Sequence, residues 1–179
     1  MTANDASGNG YNGTWAGTAT GTNGYYSPGK VGNWAGAFDG TSTYIDSVGL
    51  RLNSLNSLSI SAWINPSTVS GTQQIFIENS PLMFSLSGNK LRAGVYNGTS
   101  WSPVSGAVSL SANQWIFVTA IYNGQNISVY ENGVFDASVS QTGSTPASNP
   151  CSEIGRLYTT GCETGVSGYF NGLDRKSVV

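Results

Sequence analysis

The segment Leu58–Asn65 reads Leu-Ser-Ile-Ser-Ala-Trp-Ile-Asn and is followed by Pro66. Apolar residues occupy every second position from Leu58 to Ile64, which is the period of a β-strand with one buried face. The polar residues and Trp63 fall on the opposite face. Proline has no N–H to donate to a sheet, so Pro66 ends the strand. The segment therefore predicts a strand that packs one side on a core and carries Trp63 on the other.

Turn signals repeat along the chain after this strand. Runs of strand length alternate with short turns that contain Gly and Asn, and these turns lie at Gly88-Asn89, Asn97-Gly98, Asn123-Gly124 and Asn132-Gly133. Asn-Gly dipeptides favour type I′ turns, because both central residues tolerate a positive φ. Strand-length runs with turns roughly every 8–12 residues predict antiparallel neighbours in a sandwich or a barrel.

The composition supports an all-β fold and argues against several functions. Only 9% of the residues are charged and 24 are glycine, which suits short strands and tight turns better than long amphipathic helices. The chain has seven Lys and Arg, a net charge of −2 and no basic stripe, so we do not expect a nucleic acid partner. No apolar run approaches the length of about 18 residues that a membrane span needs, so membrane insertion is not expected either.

The chain contains two cysteines, Cys151 and Cys162, which are eleven positions apart. A disulfide between them would close a loop on the scale of a hairpin and would imply an oxidising compartment. Two buried free thiols are the alternative. A zinc site is not expected, because the chain has no His and no second pair of cysteines.

These motifs together resemble the laminin-G-like jelly-roll domains of the concanavalin A-like lectin and glucanase superfamily. The resemblance lies in the order and spacing of short phrases, which are Asp5–Thr14, Gly29–Gly32, Ala37–Gly40, Tyr44-Ile45, Ser59–Pro66, Asn113–Trp115, Tyr122–Gly124, Ile127–Gly133, Ile154-Gly155 and Phe170–Leu173. It implies an antiparallel two-sheet jelly-roll sandwich over residues 1–173. It also implies a module of a larger secreted protein, flanked by other domains and located outside the cell or at its surface.

Both ends of the chain depart from the family pattern. Family members usually begin with a strand before the Asp5–Thr14 loop and end with an apolar strand. This chain ends in Asp-Arg-Lys-Ser-Val-Val over residues 174–179, which matches the translation of a widely used sequencing adapter. We hypothesise that residues 174–179 are a non-native tail, from adapter read-through in an assembled environmental sequence; a natural basic tail is the alternative. The loss of both terminal strands predicts an unpaired sheet edge.

The acidic residues lack the spacing of a glucanase active site. Sandwich glucanases place carboxylates on alternate residues of one strand, so that a nucleophile and an acid face one groove. None of the four glutamates has an acidic residue two positions away, and the chain has no His for a Ser-His or Cys-His pair. The sequence therefore predicts a non-catalytic module, and a remote glycoside hydrolase is the least favoured alternative.

The resemblance implies a module that binds a carbohydrate, a glycan or another cell-surface ligand; a structural spacer domain without a ligand is the alternative. Sugar recognition uses the faces of exposed aromatic rings. Six aromatic residues are candidates, because they lie opposite a core face or in or beside loops: Trp63, Tyr25, Tyr26, Trp34, Tyr96 and Trp101. Each of them can also be a core residue, since a sandwich buries many aromatic side chains.

The resemblance also implies a calcium ion near the N-terminal loop. Calcium binds six to eight oxygen atoms from carboxylates and carbonyls. Asp5 and Asn9 supply such oxygens from the loop Asp5–Gly10, and Asp39 is a further candidate ligand. A turn rich in Asp and Asn that binds no ion is the alternative.

Overall fold

The chain folds into two antiparallel sheets packed face to face, which confirms the predicted jelly-roll sandwich. The computed structural model describes residues 1–47, 49–78, 81–147, 151–158 and 167–178. Within these ranges fifteen strands form: β1 Thr2–Ala3, β2 Gly13–Ala16, β3 Tyr26–Pro28, β4 Trp34–Asp39, β5 Tyr44–Ser47, β6 Leu58–Pro66, β7 Thr72–Glu78, β8 Leu82–Ser87, β9 Lys90–Tyr96, β10 Trp101–Ser105, β11 Ile116–Tyr122, β12 Asn126–Glu131, β13 Val134–Ser140, β14 Ser152–Ile154 and β15 Asn171–Val178.

Each sheet combines local hairpins with pairs between strands that are far apart in the chain. One sheet has eight strands in the order β1-β2-β5-β14-β7-β8-β9-β10, and the other has seven in the order β13-β12-β11-β6-β15-β4-β3. The hairpins β7-β8-β9-β10 and β11-β12-β13 join neighbours in sequence, whereas β6 pairs with β11 across four intervening strands. The described part of the chain contains no α-helix, and so no helix there is long and apolar enough to cross a membrane.

Strand β6 contains the segment from which the fold was predicted, and it lies between β11 and β15 in the seven-stranded sheet. Ile60, Ala62 and Ile64 have no exposed surface and belong to the core between the sheets. Trp63 is half-buried and points away from that core, as the alternation predicts.

Aromatic rings link the two sheets at one end of the core. Trp15 on β2 is 5% exposed. Its ring stacks on Tyr25 at 4.9 Å and contacts Tyr26 and Phe38 at 5.6 and 5.3 Å. Phe38 in turn contacts Phe170 at 5.9 Å. Since β2 and β4 belong to different sheets, these rings hold the layers together by apolar contact.

The three Asn-Gly turns after β6 are of two kinds. Asn132 and Gly133 have φ angles of 52° and 80°, as a type I′ turn requires. Asn97 and Asn123 do not have a positive φ; the side-chain oxygen of each accepts N–H bonds from the residues two and three positions later, at 2.8–2.9 Å. The prediction of type I′ turns is therefore wrong at Asn97 and Asn123, because these side chains cap longer loops instead.

The last strand is internal rather than at an edge. β15 pairs with β4 on one side and with β6 on the other, and β1 pairs with β2 in the opposite sheet. The first and last strands of this chain therefore do not lie side by side, and the expected unpaired edge is not at β15. The pairing of β15 does not test where residues 174–179 come from. The hypothesis that they are a non-native tail stays a prediction.

Cys151 lies in a small apolar cluster. It is 2% exposed and packs with Ile77 and Tyr158. Cys162 lies outside the described residues, so a disulfide between Cys151 and Cys162 stays a prediction.

Two carboxyl groups meet where the β12–β13 hairpin packs against the loop after β10. Glu131 is 7% exposed, and Oδ1 of Asp136 accepts hydrogen bonds from the N–H groups of Ala107 and Val108 at 2.8 and 3.1 Å. Burial, followed by the charge of Asp136 and a hydrogen bond to it, raises the pKa of Glu131 to about 7, although Lys90 acts in the opposite direction. Below this pH Glu131 is protonated and can donate a hydrogen bond to Asp136.

This carboxyl pair predicts that the protein loses stability as pH rises. In the folded state the pKa of Glu131 is about 7, compared with its ordinary value of 4.5. Between these two pH values the folded state therefore binds more protons than the unfolded chain does. The free energy of unfolding is then expected to fall across this range, by on the order of 3 kcal/mol.

Glu131→Gln tests this expectation, because the amide still donates a hydrogen bond to Asp136 but does not titrate. Urea unfolding of both proteins between about pH 4.5 and pH 8 should show a smaller fall in stability for the variant. Parallel curves for the two proteins would contradict the assignment of the proton to this pair.

Candidate functional site

Four aromatic side chains lie on the outer surface of the seven-stranded sheet, on four neighbouring strands. They are Trp63 on β6, Phe117 on β11, Tyr130 on β12 and Phe135 on β13. The first three alternate with buried side chains along their strands, and Phe135 is 56% exposed. We call these four residues the aromatic face.

The rings of the aromatic face form two pairs across neighbouring strands. Trp63 is in register with Phe117, and their ring centroids are 5.4 Å apart. Tyr130 is in register with Phe135, and their centroids are 5.8 Å apart. Contacts of this kind stabilise a sheet, and they also leave ring surface on the solvent side.

Side chains that carry hydroxyl groups lie beside the rings. Ser61 is in register with Thr119, and Ser128 with Ser138, on the same outer surface. The carboxylates of β12 and β13 belong to the buried pair described above and point towards the other sheet. The described outward side chains of β6, β11, β12 and β13 are therefore uncharged.

Two cations border the aromatic face on the side of β15. The Lys30 ammonium lies 5.9 Å from the centroid of the Trp63 ring, within the range of a cation–π contact. Arg175 is in register with Trp63, and its Nε donates a hydrogen bond to the carbonyl of Val31 at 2.7 Å. The loop between β3 and β4 thus forms one boundary of the face.

The structure places the six predicted ligand residues in three separate regions. Trp63 belongs to the aromatic face. Tyr96 and Trp101 form a ring pair at 5.6 Å on β9 and β10 of the other sheet, where Trp101 is 42% exposed. Tyr25, Tyr26 and Trp34 lie around β3 and β4.

In that third region two of the rings are engaged in packing. Tyr25 stacks on Trp15 and donates a hydrogen bond to the carbonyl of Gly17 at 2.7 Å. The hydroxyl of Tyr26 accepts a hydrogen bond from Nε1 of Trp15 at 3.1 Å. Trp34 is 45% exposed. Ligand binding by these residues stays a prediction.

A cavity of about 570 Å³ lies beside Trp34, between the N-terminal segment and the inner surfaces of the sheets. Its lining includes Tyr26 and Trp34 as well as Asp5 and Asn9, so predicted ligand residues and predicted calcium ligands meet there. The volume is in the usual range of small-molecule pockets. The cavity is therefore a separate, concave place to test for ligand binding.

The predicted calcium ligands are engaged in turns of the chain. The carboxylate of Asp5 accepts hydrogen bonds from the N–H and Oγ of Ser7 at 2.8 and 2.7 Å and from the N–H of Tyr11 at 3.0 Å, which lower its pKa. Burial would raise the pKa of Asp39, but four hydrogen bonds from residues 41–43 outweigh it and hold that pKa well below its usual range.

The predicted calcium ligands belong to two different loops. Asp5 and Asn9 line the cavity, whereas Asp39 caps the turn after β4. In the described ranges no three Asp, Glu, His or Cys side chains come close enough to hold a metal ion. Calcium binding by Asp5, Asn9 and Asp39 stays a prediction.

Phe117, Tyr130 and Phe135 are the members of the face that the sequence reasoning missed. Phe117 and Tyr130 alternate with apolar residues in the same way as Trp63 does, and the Asn132-Gly133 turn brings Phe135 beside Tyr130. These two signals were available in the sequence. The pairing of Trp63 with Phe117 was not, since it joins strands far apart in the chain.

Comparisons with known proteins agree with this architecture. A family model for the concanavalin A-like lectin/glucanases superfamily matches residues 39–174. No curated protein sequence matches the chain significantly.

Solved structures share the fold at low sequence identity. Domain 4 of AbnA, a GH43 extracellular arabinanase from Geobacillus stearothermophilus in complex with arabinotriose, has a TM-score of 0.69 and 23% identity, over 97% of this chain and 84% of that chain. The heptameric SAP-like pentraxin of Limulus polyphemus has a TM-score of 0.61 and 19% identity, over 79% and 72%. The CBM40 of Ruminococcus gnavus IT-sialidase, bound to α2,3 sialyllactose, has a TM-score of 0.54 and 13% identity, over 67% and 72%.

The family match covers well over half of the residues and agrees with the two-sheet topology. The chain therefore belongs to the concanavalin A-like lectin/glucanase superfamily, as a laminin-G-like jelly-roll domain.

Proposed function

We propose that the chain is a non-catalytic carbohydrate-binding module that holds its ligand on the aromatic face. The observation that carries this proposal is the set of four outward rings on neighbouring strands, with hydroxyl groups beside them. Aromatic rings stack on the apolar faces of sugars, and serine and threonine hydroxyls exchange hydrogen bonds with sugar hydroxyls. The surface is suited to contact with a ligand.

The compared structures support a sugar as the ligand class. Two of them contain one, arabinotriose in the AbnA domain and sialyllactose in the CBM40. The first is a domain of an extracellular enzyme, which supports a similar setting here: an accessory module of a secreted or cell-surface protein, with other domains beside it. The likeness does not select either sugar.

The arrangement of carboxylates supports a module without hydrolytic activity. Glycosidases hold two carboxyl groups about 5–10 Å apart across a cleft. Here Glu131 and Asp136 are in direct contact in a buried pair, and the carboxylate of Glu153 is bound by Arg156 at 2.6 and 2.7 Å. These carboxylates serve structural contacts, and a glycoside hydrolase is the least favoured function.

A structural spacer domain without a ligand is the second candidate. The observation that favours it is the pairing of the rings with one another, because cross-strand aromatic pairs stabilise a sheet without any ligand. A glycan array separates the two candidates, since a spacer gives no reproducible binding.

Trp63→Ala is the variant that tests the aromatic face. We expect it to weaken binding of the glycan found on the array by roughly 30-fold or more, because a central tryptophan commonly contributes about 2 kcal/mol or more to recognition. Isothermal titration calorimetry measures the change, and thermal unfolding verifies that the variant is folded.

Two exposed tryptophans provide matched controls. Trp101→Ala on the opposite sheet should retain the wild-type affinity, and Trp34→Ala reports on the cavity. Loss of binding in either control, with Trp63→Ala unaffected, would place the ligand away from the aromatic face.

A further inference from the structure

We infer that the ligand is the interior of a linear, uncharged polysaccharide that crosses the strands of the seven-stranded sheet and contacts both ring pairs of the aromatic face. This inference rests on the proposed function and specifies its ligand class.

The spacing of the two ring pairs indicates an extended ligand. Phe117 and Tyr130 are on adjacent strands but not in one row, because Tyr130 is in register with Thr119. The midpoint of the Trp63–Phe117 pair is thus two strand spacings and two residues from the midpoint of the other pair, which is roughly 12 Å. A single sugar ring is too small to reach both pairs, and so are two adjacent rings; contact with both pairs needs sugar rings that are at least two units apart along an extended chain.

The face is an open surface at the side of β13. This strand is the last one in its sheet, and Phe135 on it is 56% exposed. A site for the terminal sugar of a chain encloses that sugar in a concave pocket. An open edge instead allows a chain to continue past the last ring, so the geometry favours internal units over chain ends.

The charge distribution favours an uncharged ligand. The outward polar side chains of the described parts of β6, β11, β12 and β13 include Ser59, Ser61, Thr119, Asn126, Ser128 and Ser138, and none of the outward ones is charged. A neutral, hydroxyl-rich chain can be desolvated here without leaving an ion unpaired. A protein partner, with charged groups at about a quarter of its residues, would find no counter-charges on these strands.

Two cations are exceptions and lie at the boundary beside Trp63: Arg175, on the neighbouring strand β15, and Lys30. The Lys30 ammonium is 5.9 Å from the Trp63 ring centroid, where it can donate a hydrogen bond to a hydroxyl or ring oxygen of a sugar stacked on Trp63. An acidic glycan would use the same ammonium as an ion pair, so the charge of the ligand is one arm of the test.

The test measures affinity against chain length. Calorimetric titration uses cello- and xylo-oligosaccharides from the monosaccharide to the hexasaccharide, with oligogalacturonates of the same lengths as the charged arm. We expect affinity for a neutral series to rise about tenfold or more from disaccharide to tetrasaccharide, because only the longer ligand reaches the second ring pair.

Phe135 provides the variant specific to this inference. Phe135→Ala should reduce affinity for the tetrasaccharide about tenfold and leave affinity for the disaccharide unchanged. Phe135→Trp should strengthen tetrasaccharide binding, so the test does not depend on loss alone. Val134→Ala, at the neighbouring position of β13 that is 69% exposed, is the matched control and should bind like the wild type.

The outcomes separate this inference from the proposed function. Three results overturn the inference alone, provided that Trp63→Ala still abolishes binding. They are an affinity that does not change with chain length, an equal effect of Phe135→Ala at all lengths, and tighter binding of oligogalacturonates than of the neutral series. If no oligosaccharide binds, or if Trp63→Ala has no effect, the inference and the assignment of the aromatic face both fail.

Discussion

The alternation of side chains along β6 is the constraint on which the rest of the structure depends. Ile60, Ala62 and Ile64 close the core on one side of the strand, and Trp63 is held on the other side by the same backbone. A shift of register by one residue would bring Trp63 into the core and expose its apolar neighbours, so burial of the core also fixes the position of the outer ring. The aromatic face is thus a second consequence of the pattern that produces the sandwich.

The fold could be predicted because its signals are local. Alternation identifies the strands and turn residues mark where they end, and both are visible within about ten residues of sequence. The outward direction of Trp63 could be predicted for the same reason. Its neighbour Phe117 could not, because β6 and β11 are separated in the chain by four strands of the other sheet, and periodicity does not show which strands pair.

The roles of individual polar and aromatic residues were harder to predict, since one residue type serves several purposes. Asn97 and Asn132 are both followed by glycine, yet the first caps a loop through its side chain and the second adopts a positive φ. Tyr25 is next to Gly24 in an apparent loop, but its ring stacks on buried Trp15. Such differences depend on which groups come into reach after folding.

Two features determine the position of Phe135 relative to Tyr130. They are the two-residue turn at Asn132-Gly133 and the shift in the register of strand pairing between Val129 and Tyr130. One extra residue in this hairpin would slide β13 by one position and rotate Phe135 from the outer surface to the inner one. Sandwiches with a longer turn would carry a shorter row of rings, and they would need new core residues in place of Ala137 and Val139, which pack against the core here. A change in the length of this hairpin can therefore change the surface area that the sheet presents to a ligand.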